Sequence, residues 1–311
     1  MNMSSITKTV KLSHIQNGVD PKDLASTGRP STLFIHGLDS SSHTWRSTLE
    51  RLSSPGVAID CRGYGASPLG NPKDFTPDAL IEDIHDFVTS HPFFGKGAQD
   101  KAVRPFVIVG HSMGGRIAMS YAAKYPHHVS ALIIEDMDIR TRPMEMNFIK
   151  SSDREATVSF KRNLNTMERS VVIAQFEKEG YMKNMSERWL DEGRIHLKDG
   201  QSYYSDVNPA FRLLCYEQFF LTSHGEDTWR TITNQNEPYF PCHVMVADKE
   251  YTVCDESSIS QMNQIMKEKD DFRMILHRFK TATHSIHNSV STEFMPHLEQ
   301  IIESTSATSK R

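Results

Sequence analysis

The sequence predicts an α/β protein: a mostly parallel, doubly wound sheet with a helical insertion. Short apolar runs recur along the chain, at 31–37, 56–63, 105–112, 131–137, 242–248 and 272–279. Their hydrophobicity is continuous rather than alternating, which is typical of parallel strands that are covered on both faces. Stretches with helical spacing, such as 76–91 and 114–126, lie between them. This alternation of strand and helix indicates a doubly wound fold.

The alternation stops between about residues 141 and 238. We identify no strand in this segment, whereas several of its stretches are amphipathic, as helices that pack on one face are. We therefore predict that residues 1–140 and 239–311 form the core domain and that residues 141–238 form a mostly helical cap on top of the sheet. The aromatic residues of the cap are expected to serve packing more often than a ligand pocket.

Bulk composition narrows the class of protein. The 311 residues carry a net charge of −4, and 38% of them are hydrophobic, which is ordinary for a globular chain and predicts no nucleic-acid partner. No apolar run approaches the roughly 18 residues of a membrane span, and no signal peptide is recognisable. Four widely spaced cysteines favour reduced thiols. A cytoplasmic location is expected, organelle targeting stays open, and oligomeric state cannot be inferred.

Ser112 stands in the pattern Gly110-His111-Ser112-Met113-Gly114, between an apolar strand and an Ala-rich helix. A G-x-S-x-G pattern at a strand–turn–helix junction is the context that a nucleophile elbow requires. Strand and helix approach so closely in such a turn that a Cβ atom at either glycine would collide with the neighbouring backbone. The strained turn exposes the serine hydroxyl. We predict that Ser112 is a nucleophile.

Two backbone amides are predicted to bind an oxyanion. Met113 begins the helix, where the N–H groups lack partners and the helix dipole is positive. The loop after the strand at 31–37 contains a His-Gly pair and faces the elbow, which makes the amide of Leu38 the second donor. His36 itself, and Arg62 after the following strand, are predicted to hold loops by hydrogen bonds.

A serine hydroxyl is a poor nucleophile until a base takes its proton. The segment FKTATHSIHNSV, after the last predicted strand, offers two histidines. His284 lies closer to the strand end and is the predicted base, with His287 as the alternative.

The base in turn needs a carboxylate that fixes its tautomer. Asp136 and Glu250 each follow a predicted strand, at the end of the sheet where doubly wound folds place their chemistry. The residue pattern alone does not determine whether Asp136 or Glu250 is the acid.

Together, these motifs resemble those of the α/β-hydrolase superfamily and occur in its order: IHGLDSSSHTW, IDCRGYGASP, VGHSMGG and THSIH. The likeness covers about residues 30–140 and 240–303, and within the superfamily the motifs resemble those of small-acyl esterases of the abhydrolase type. It implies the α/β-hydrolase fold, with Ser112 as nucleophile, His284 as base, and Leu38 and Met113 as the oxyanion amides.

The resemblance also bears on the acid. The usual position in the superfamily corresponds to Glu250, whereas the narrower esterase group uses the position of Asp136. Ala247 replaces a usual glycine near Glu250, and a glutamate replaces the usual aspartate. Asp136 is therefore the predicted acid, and Glu250 is the alternative.

The resemblance implies a serine hydrolase that cleaves small-molecule carboxylic esters or thioesters of small to medium acyl groups through an acyl-enzyme. No metal or organic cofactor is expected to take part. The same triad would also support C–C bond hydrolysis or acyl transfer. The alternative from another class is a catalytically idle member that binds a ligand or a partner.

Overall fold

The structure is a computed structural model of the chain. It describes residues 8–20, 28–95, 102–141, 162–178, 183–191, 195–198, 200–205, 214–220, 224–234, 240–248, 252–266 and 274–308.

A seven-stranded sheet forms the centre of the described part of the chain. In spatial order its strands are β1 (His14–Gln16), β3 (Gly56–Ile59), β2 (Thr32–Ile35), β4 (Phe106–His111), β5 (Val129–Glu135), β9 (Cys242–Ala247) and β10 (Met274–Phe279). Every neighbouring pair is parallel except β1 with β3. The predicted fold class is confirmed, and each of the six predicted runs contains a strand. The sequence analysis missed β1, which is three residues long and lies at an edge.

Helices and turns connect these strands within the described ranges. The α-helices are α1 (Arg46–Arg51), α2 (Pro77–Ser90), α3 (Met113–Lys124), α4 (Arg169–Lys178), α5 (Lys183–Asp191), α6 (Gly225–Asn234), α7 (Glu256–Met266), α8 (Ile286–Ser289) and α9 (Ser291–Thr308). A π-helical turn spans Cys215–Phe220, and 3₁₀ turns span Ser42–Trp45, Pro72–Asp74 and Pro126–His128.

Both faces of the sheet are buried, which explains the continuous hydrophobic runs. Successive residues of a strand point to opposite faces, so Leu33 and Ile35 belong to one buried cluster and Phe34 belongs to the other. Helices α2, α3 and α7 contribute to the first cluster, and helix α9 contributes to the second. This two-sided cover leaves the ends of the strands as the place where polar side chains meet.

The segment between β5 and β9 contains strands that the sequence analysis did not predict. A small antiparallel sheet has the order β6 (Arg162–Asn163), β8 (Ser202–Ser205), β7 (Ile195–Lys198). The expectation of no strand in this segment is therefore wrong. The sequence does contain a hairpin signal, because IHLKDGQSYYS has an Asp-Gly pair between two short runs that contain β-favouring residues.

The aromatic residues of this segment are mainly buried where the structure describes them. Phe176 and Trp189 belong to a small cluster together with Val172 and Leu190. Phe219 and Phe220 join the main cluster of the sheet. Phe148 and Phe160 lie outside the described residues.

Two buried histidines predict a loss of stability in acid. Burial, aided by His277, lowers the pKa of His243 to about 4, and burial, aided by His14, lowers that of His91 to about 4. Between pH 6.5 and pH 4 the unfolded chain binds protons at these positions and the folded chain does not, so the free energy of unfolding falls as the pH falls. Each histidine is expected to contribute about 2–3 kcal/mol to this loss.

Thermal or urea unfolding at a series of pH values tests this expectation. His243→Leu should flatten the pH dependence, and the matched variant of the exposed His127, His127→Leu, should retain the wild-type slope. Equal slopes in all three proteins would contradict the prediction.

Candidate active site

Ser112 occupies a sharp turn between β4 and α3. Its backbone angles are φ 52° and ψ −120°, which is an uncommon conformation for a residue with a side chain. The amide of Ser112 donates to the carbonyl oxygen of Glu135 at 2.9 Å, which fixes the turn against the end of β5. This is the strained strand–turn–helix geometry of a nucleophile elbow.

The two flanking glycines are required by close backbone contacts. A Cβ atom on Gly110 would lie 2.1 Å from the carbonyl oxygen of Gly114. A Cβ atom on Gly114 would lie 2.4 Å from the carbonyl oxygen of Ile35 and 2.7 Å from that of His36. The helix that follows Ser112 therefore lies directly against the end of β2.

Gly114→Ala is expected to damage the site as well as the fold. The new methyl group must push the end of β2 away from α3, which moves the loop that carries Leu38. We expect destabilisation of about 1–3 kcal/mol from overpacking and a loss of about 100-fold in the rate of a reaction at Ser112 from misplaced groups. Gly18→Ala is the matched control, because no atom lies within 4 Å of its new Cβ atom. Equal activity in the two variants would contradict this account.

His284 and Asp136 form a close pair across 148 positions of sequence. The Nδ1 atom of His284 lies 2.6 Å from Oδ2 of Asp136. A carboxylate accepts the hydrogen bond, so Nδ1 carries the proton and Nε2 carries the lone pair. The His284 side chain is 21% exposed and that of Asp136 is fully buried. The predicted base is thus partly exposed to solvent and bonded to a buried carboxylate.

The backbone at Asp136 turns its carboxylate toward the segment after β9. Asp136 has φ 44°, and its amide donates to the carbonyl oxygen of Met245 at 2.8 Å. The hydroxyl of Thr252 and the amide of Val253 both donate to its carboxylate. These donors supply hydrogen bonds to a carboxylate that is buried away from water.

Strand register brings the serine and the acid together. His111, at the end of β4, pairs with Glu135, at the end of β5. Ser112 and Asp136 follow these two residues directly. The ring Nε2–H of His111 donates to the carbonyl oxygen of His284 at 3.0 Å, so His284 also lies near the elbow. The structure thus gathers Ser112, Asp136 and His284 at one end of the sheet.

The proposed oxyanion residues flank Ser112. Met113 is the first residue of α3, and Leu38 lies in the loop after β2, partly buried against the core. A Cβ atom on Gly37 would lie 3.1 Å from Cβ of Ser112, so this loop passes directly beside the serine. Both residues therefore belong to segments that adjoin Ser112.

His36 and Arg62 make loop contacts. His36 donates to the carbonyl oxygen of Gly37 and accepts from the amide of Cys61. The buried Arg62 forms a two-pronged ion pair with Asp83 on α2, with N–O distances of 2.6 and 2.7 Å.

His287, the alternative base, lies away from the exposed side of the site. Its side chain is fully buried, and its Nδ1 atom lies 2.8 Å from Oε1 of Glu135. Glu250, the alternative acid, lies outside the described residues. The sequence analysis did not single out Glu135 or His111. For Glu135 a signal was present, because IIED contains two adjacent carboxylates and THSIH contains two histidines that could each pair with one of them.

Two described contacts connect the segment between β5 and β9 to the surroundings of Ser112. Trp189 on α5 donates to the carbonyl oxygen of Asp39, in the loop of Leu38, at 2.7 Å. The thiol of Cys215 lies 3.2 Å from the sulfur of Met113. The first contact is with the loop after β2, and the second is with the first residue of helix α3.

The described ranges contain neither a metal-binding cluster nor a membrane-spanning helix. No group of three or more His, Cys, Asp or Glu side chains in them is arranged to hold a metal ion. No helix in those ranges is long and apolar enough to cross a membrane.

Comparison with known proteins shows relatives of several activities. An epoxide hydrolase 1 of Caenorhabditis elegans is 34% identical over 129 residues, which are 40% of this chain and 28% of that protein. A monoacylglycerol lipase of Mycolicibacterium smegmatis is 32% identical over 109 residues, which are 34% of this chain and 37% of that protein. The matches thus span about a third of the length of these relatives.

Similarity in three dimensions extends over almost the whole chain. A marine microorganism esterase superposes with a TM-score of 0.68 at 19% sequence identity, covering 94% of this chain and all of that one. At this identity the likeness shows the fold. The model of the Alpha/beta hydrolase family matches residues 32–295, from the first parallel strand to helix α9. The chain therefore belongs to the alpha/beta hydrolase family.

Proposed function

We propose that this protein is a serine hydrolase that cleaves carboxylic esters or thioesters of small to medium acyl groups. The observation that carries the proposal is the hydrogen bond between His284 and the buried Asp136, formed beside a serine on a strained elbow. A histidine oriented by a carboxylate is what a serine nucleophile needs for its activation. The site would take a small-molecule substrate, in a protein that we predict to be cytoplasmic.

Acylation would begin at the hydroxyl of Ser112. As its Oγ attacks the substrate carbonyl, Nε2 of His284 takes the hydroxyl proton, and Asp136 stabilises the imidazolium that results. The carbonyl oxygen becomes an oxyanion, held by the amides of Leu38 and Met113. The C–O or C–S bond of the leaving group then breaks, and His284 returns the proton to the departing alcohol or thiol.

Deacylation would repeat these steps with water. His284 removes a proton from a water molecule, which attacks the acyl carbon of the acyl-enzyme. Collapse of the second tetrahedral intermediate releases the carboxylic acid and restores the hydroxyl of Ser112. Every proton transfer in this reaction uses Nε2 of His284, so the proposed reaction requires no cofactor.

The residue at the elbow favours esters over epoxides. Epoxide hydrolysis of the type that places an aspartate at the elbow attacks carbon with a carboxylate. Position 112 is a serine here, and its hydroxyl suits attack on a carbonyl. The similarity to an epoxide hydrolase therefore supports membership of the family, and it does not indicate that epoxides are the substrate of this protein.

A panel of acyl substrates tests the proposal. Acyl esters and acyl thioesters of increasing chain length would be assayed with purified protein, together with a styrene-oxide-type epoxide. We expect turnover of short and medium acyl chains, with kcat/KM falling once the chain exceeds the space beneath the cap. Turnover of the epoxide alone, or of no substrate in a well-folded preparation, would contradict the proposal.

Acyl transfer and C–C bond hydrolysis are distinguishable by their products. With an ester substrate and an added short alcohol, a hydrolase releases mainly the carboxylic acid, because water reaches the acyl-enzyme. A transferase would instead form mainly the new ester, and a C–C hydrolase would require a β-diketone-type substrate. We expect the carboxylic acid to dominate.

A further inference from the structure

A second histidine–carboxylate pair lies directly behind the first. Strand β5 ends in the adjacent acids Glu135 and Asp136, and the two histidines that they bind, His287 and His284, are three residues apart. Nδ1 of His287 lies 2.8 and 2.9 Å from the two oxygens of Glu135, and the His287 amide donates to Glu135 at 3.0 Å. Adjacent carboxylates thus hold both ends of one short segment.

The second pair is sealed from solvent. The side chains of Glu135 and His287 are fully buried, so neither can touch a substrate that enters from outside. The His287 ring stacks on Trp45, with centroids 3.9 Å apart, and its Nε2 accepts from the hydroxyl of Thr44 at 2.8 Å. The ring is therefore fixed at both nitrogens and on one face.

The charge of the buried acid depends on this pair. Burial alone would raise the pKa of Glu135, but its interactions with His287, which include hydrogen bonds from the ring and from the amide, help to leave the pKa below its usual value. Glu135 is thus ionised at neutral pH. Removing the His287 side chain would leave a buried carboxylate without its main partner, which is costly enough to shift the chain around it.

His111 links the second pair to the elbow. Burial lowers its pKa well below the usual value, so its ring is neutral at pH 7. Its Nε2–H donates to the carbonyl of His284, and its ring centroid lies 5.3 Å from that of His287. The backbone that carries His284 is consequently held by a residue adjacent to the nucleophile.

We propose that Glu135 and His287, together with His111, are positioning residues that hold His284 between Asp136 and Ser112. The proposal rests on the function proposed above. His284 would be fixed at three points: its ring by Asp136, its carbonyl by His111, and its segment, three residues on, by Glu135. A general base must lie within hydrogen-bond reach of its proton, and small displacements are costly to the rate.

The test compares His287→Leu with His243→Leu. Both remove a buried histidine, but His243 lies on β9 and bonds to His277. In His287→Leu we expect kcat to fall about 100-fold while KM stays within about twofold. His243→Leu should retain kcat within about threefold. His287→Asn, whose amide can donate to Glu135 from the place of Nδ1, should recover most of the lost rate.

A spectroscopic readout makes the test independent of turnover. The Nδ1 proton shared by His284 and Asp136 should give a far-downfield proton resonance in the wild type, which Asp136→Asn removes. We expect this resonance to shift or broaden in His287→Leu and to be unchanged in His243→Leu.

Folded His287→Leu protein with wild-type kcat and an unshifted resonance would overturn the proposal. If His287→Leu does not fold, Glu135→Gln, which retains the size of the side chain, is judged by the same two readouts. If the wild-type protein hydrolyses no ester, the proposed function fails, and the resonance alone then decides whether the second pair positions His284.

Discussion

Ser112→Ala is expected to lower kcat for ester hydrolysis by about 10⁴-fold or more, with the fold intact. The substitution removes the nucleophilic oxygen and nothing else. Alanine and serine share the same Cβ atom, so φ 52° at this turn is no more strained in the variant than in the wild type. Steady-state hydrolysis of p-nitrophenyl acetate measures the effect, with thermal unfolding as the check on folding.

Ser120→Ala is the matched control for this variant. Ser120 lies two turns further along the same helix, where its hydroxyl donates to the carbonyl oxygen of Arg116. Its loss should leave kcat within about threefold of the wild type. Near-normal turnover in Ser112→Ala would show that another group carries the reaction.

Asp136→Asn is expected to lower kcat by about 10⁴-fold. An amide in this position can donate to Nδ1 of His284, which would place the imidazole proton on Nε2, facing the serine. The base would then hold a proton where it needs a lone pair. The size of the side chain is unchanged, and ester hydrolysis across the pH range measures the effect.

Glu250→Ala discriminates between the two acids that the sequence offers. If Asp136 orients the base, Glu250→Ala should keep kcat within about tenfold of the wild type. The opposite ranking, with Glu250→Ala the more damaging variant, would assign the acid to Glu250 and leave Asp136 with a structural role.

Much of the fold could be predicted because burial leaves a clear pattern. Continuous apolar runs arise from strands covered on both faces, and all six such runs contain a strand. The short strands β1, β6, β7 and β8 contain no run of three consecutive apolar residues, unlike the equally short strands β2 and β3. They depend on partners distant in sequence and on local turn signals, such as the residue pair Asp199-Gly200.

The site was predictable where local sequence determines geometry. At Ser112 the glycines, the strand and the helix are contiguous, so the elbow can be identified from seven or eight residues. The partner of His284 depends on strand register, which aligns His111 with Glu135 and so brings Asp136 beside the serine. No local pattern encodes that alignment. The second pair was missed for the same reason, because His287 was considered as a rival base rather than as the partner of Glu135.

Labelling with a fluorophosphonate, followed by peptide mass spectrometry, tests the central claim most directly. This reagent phosphonylates a serine whose hydroxyl is activated by a base. We expect one labelled peptide, modified at Ser112. Labelling should be abolished in Ser112→Ala and strongly slowed in His284→Ala. A protein that hydrolyses esters while Ser112 stays unlabelled, or that is labelled equally well without His284, would contradict the account.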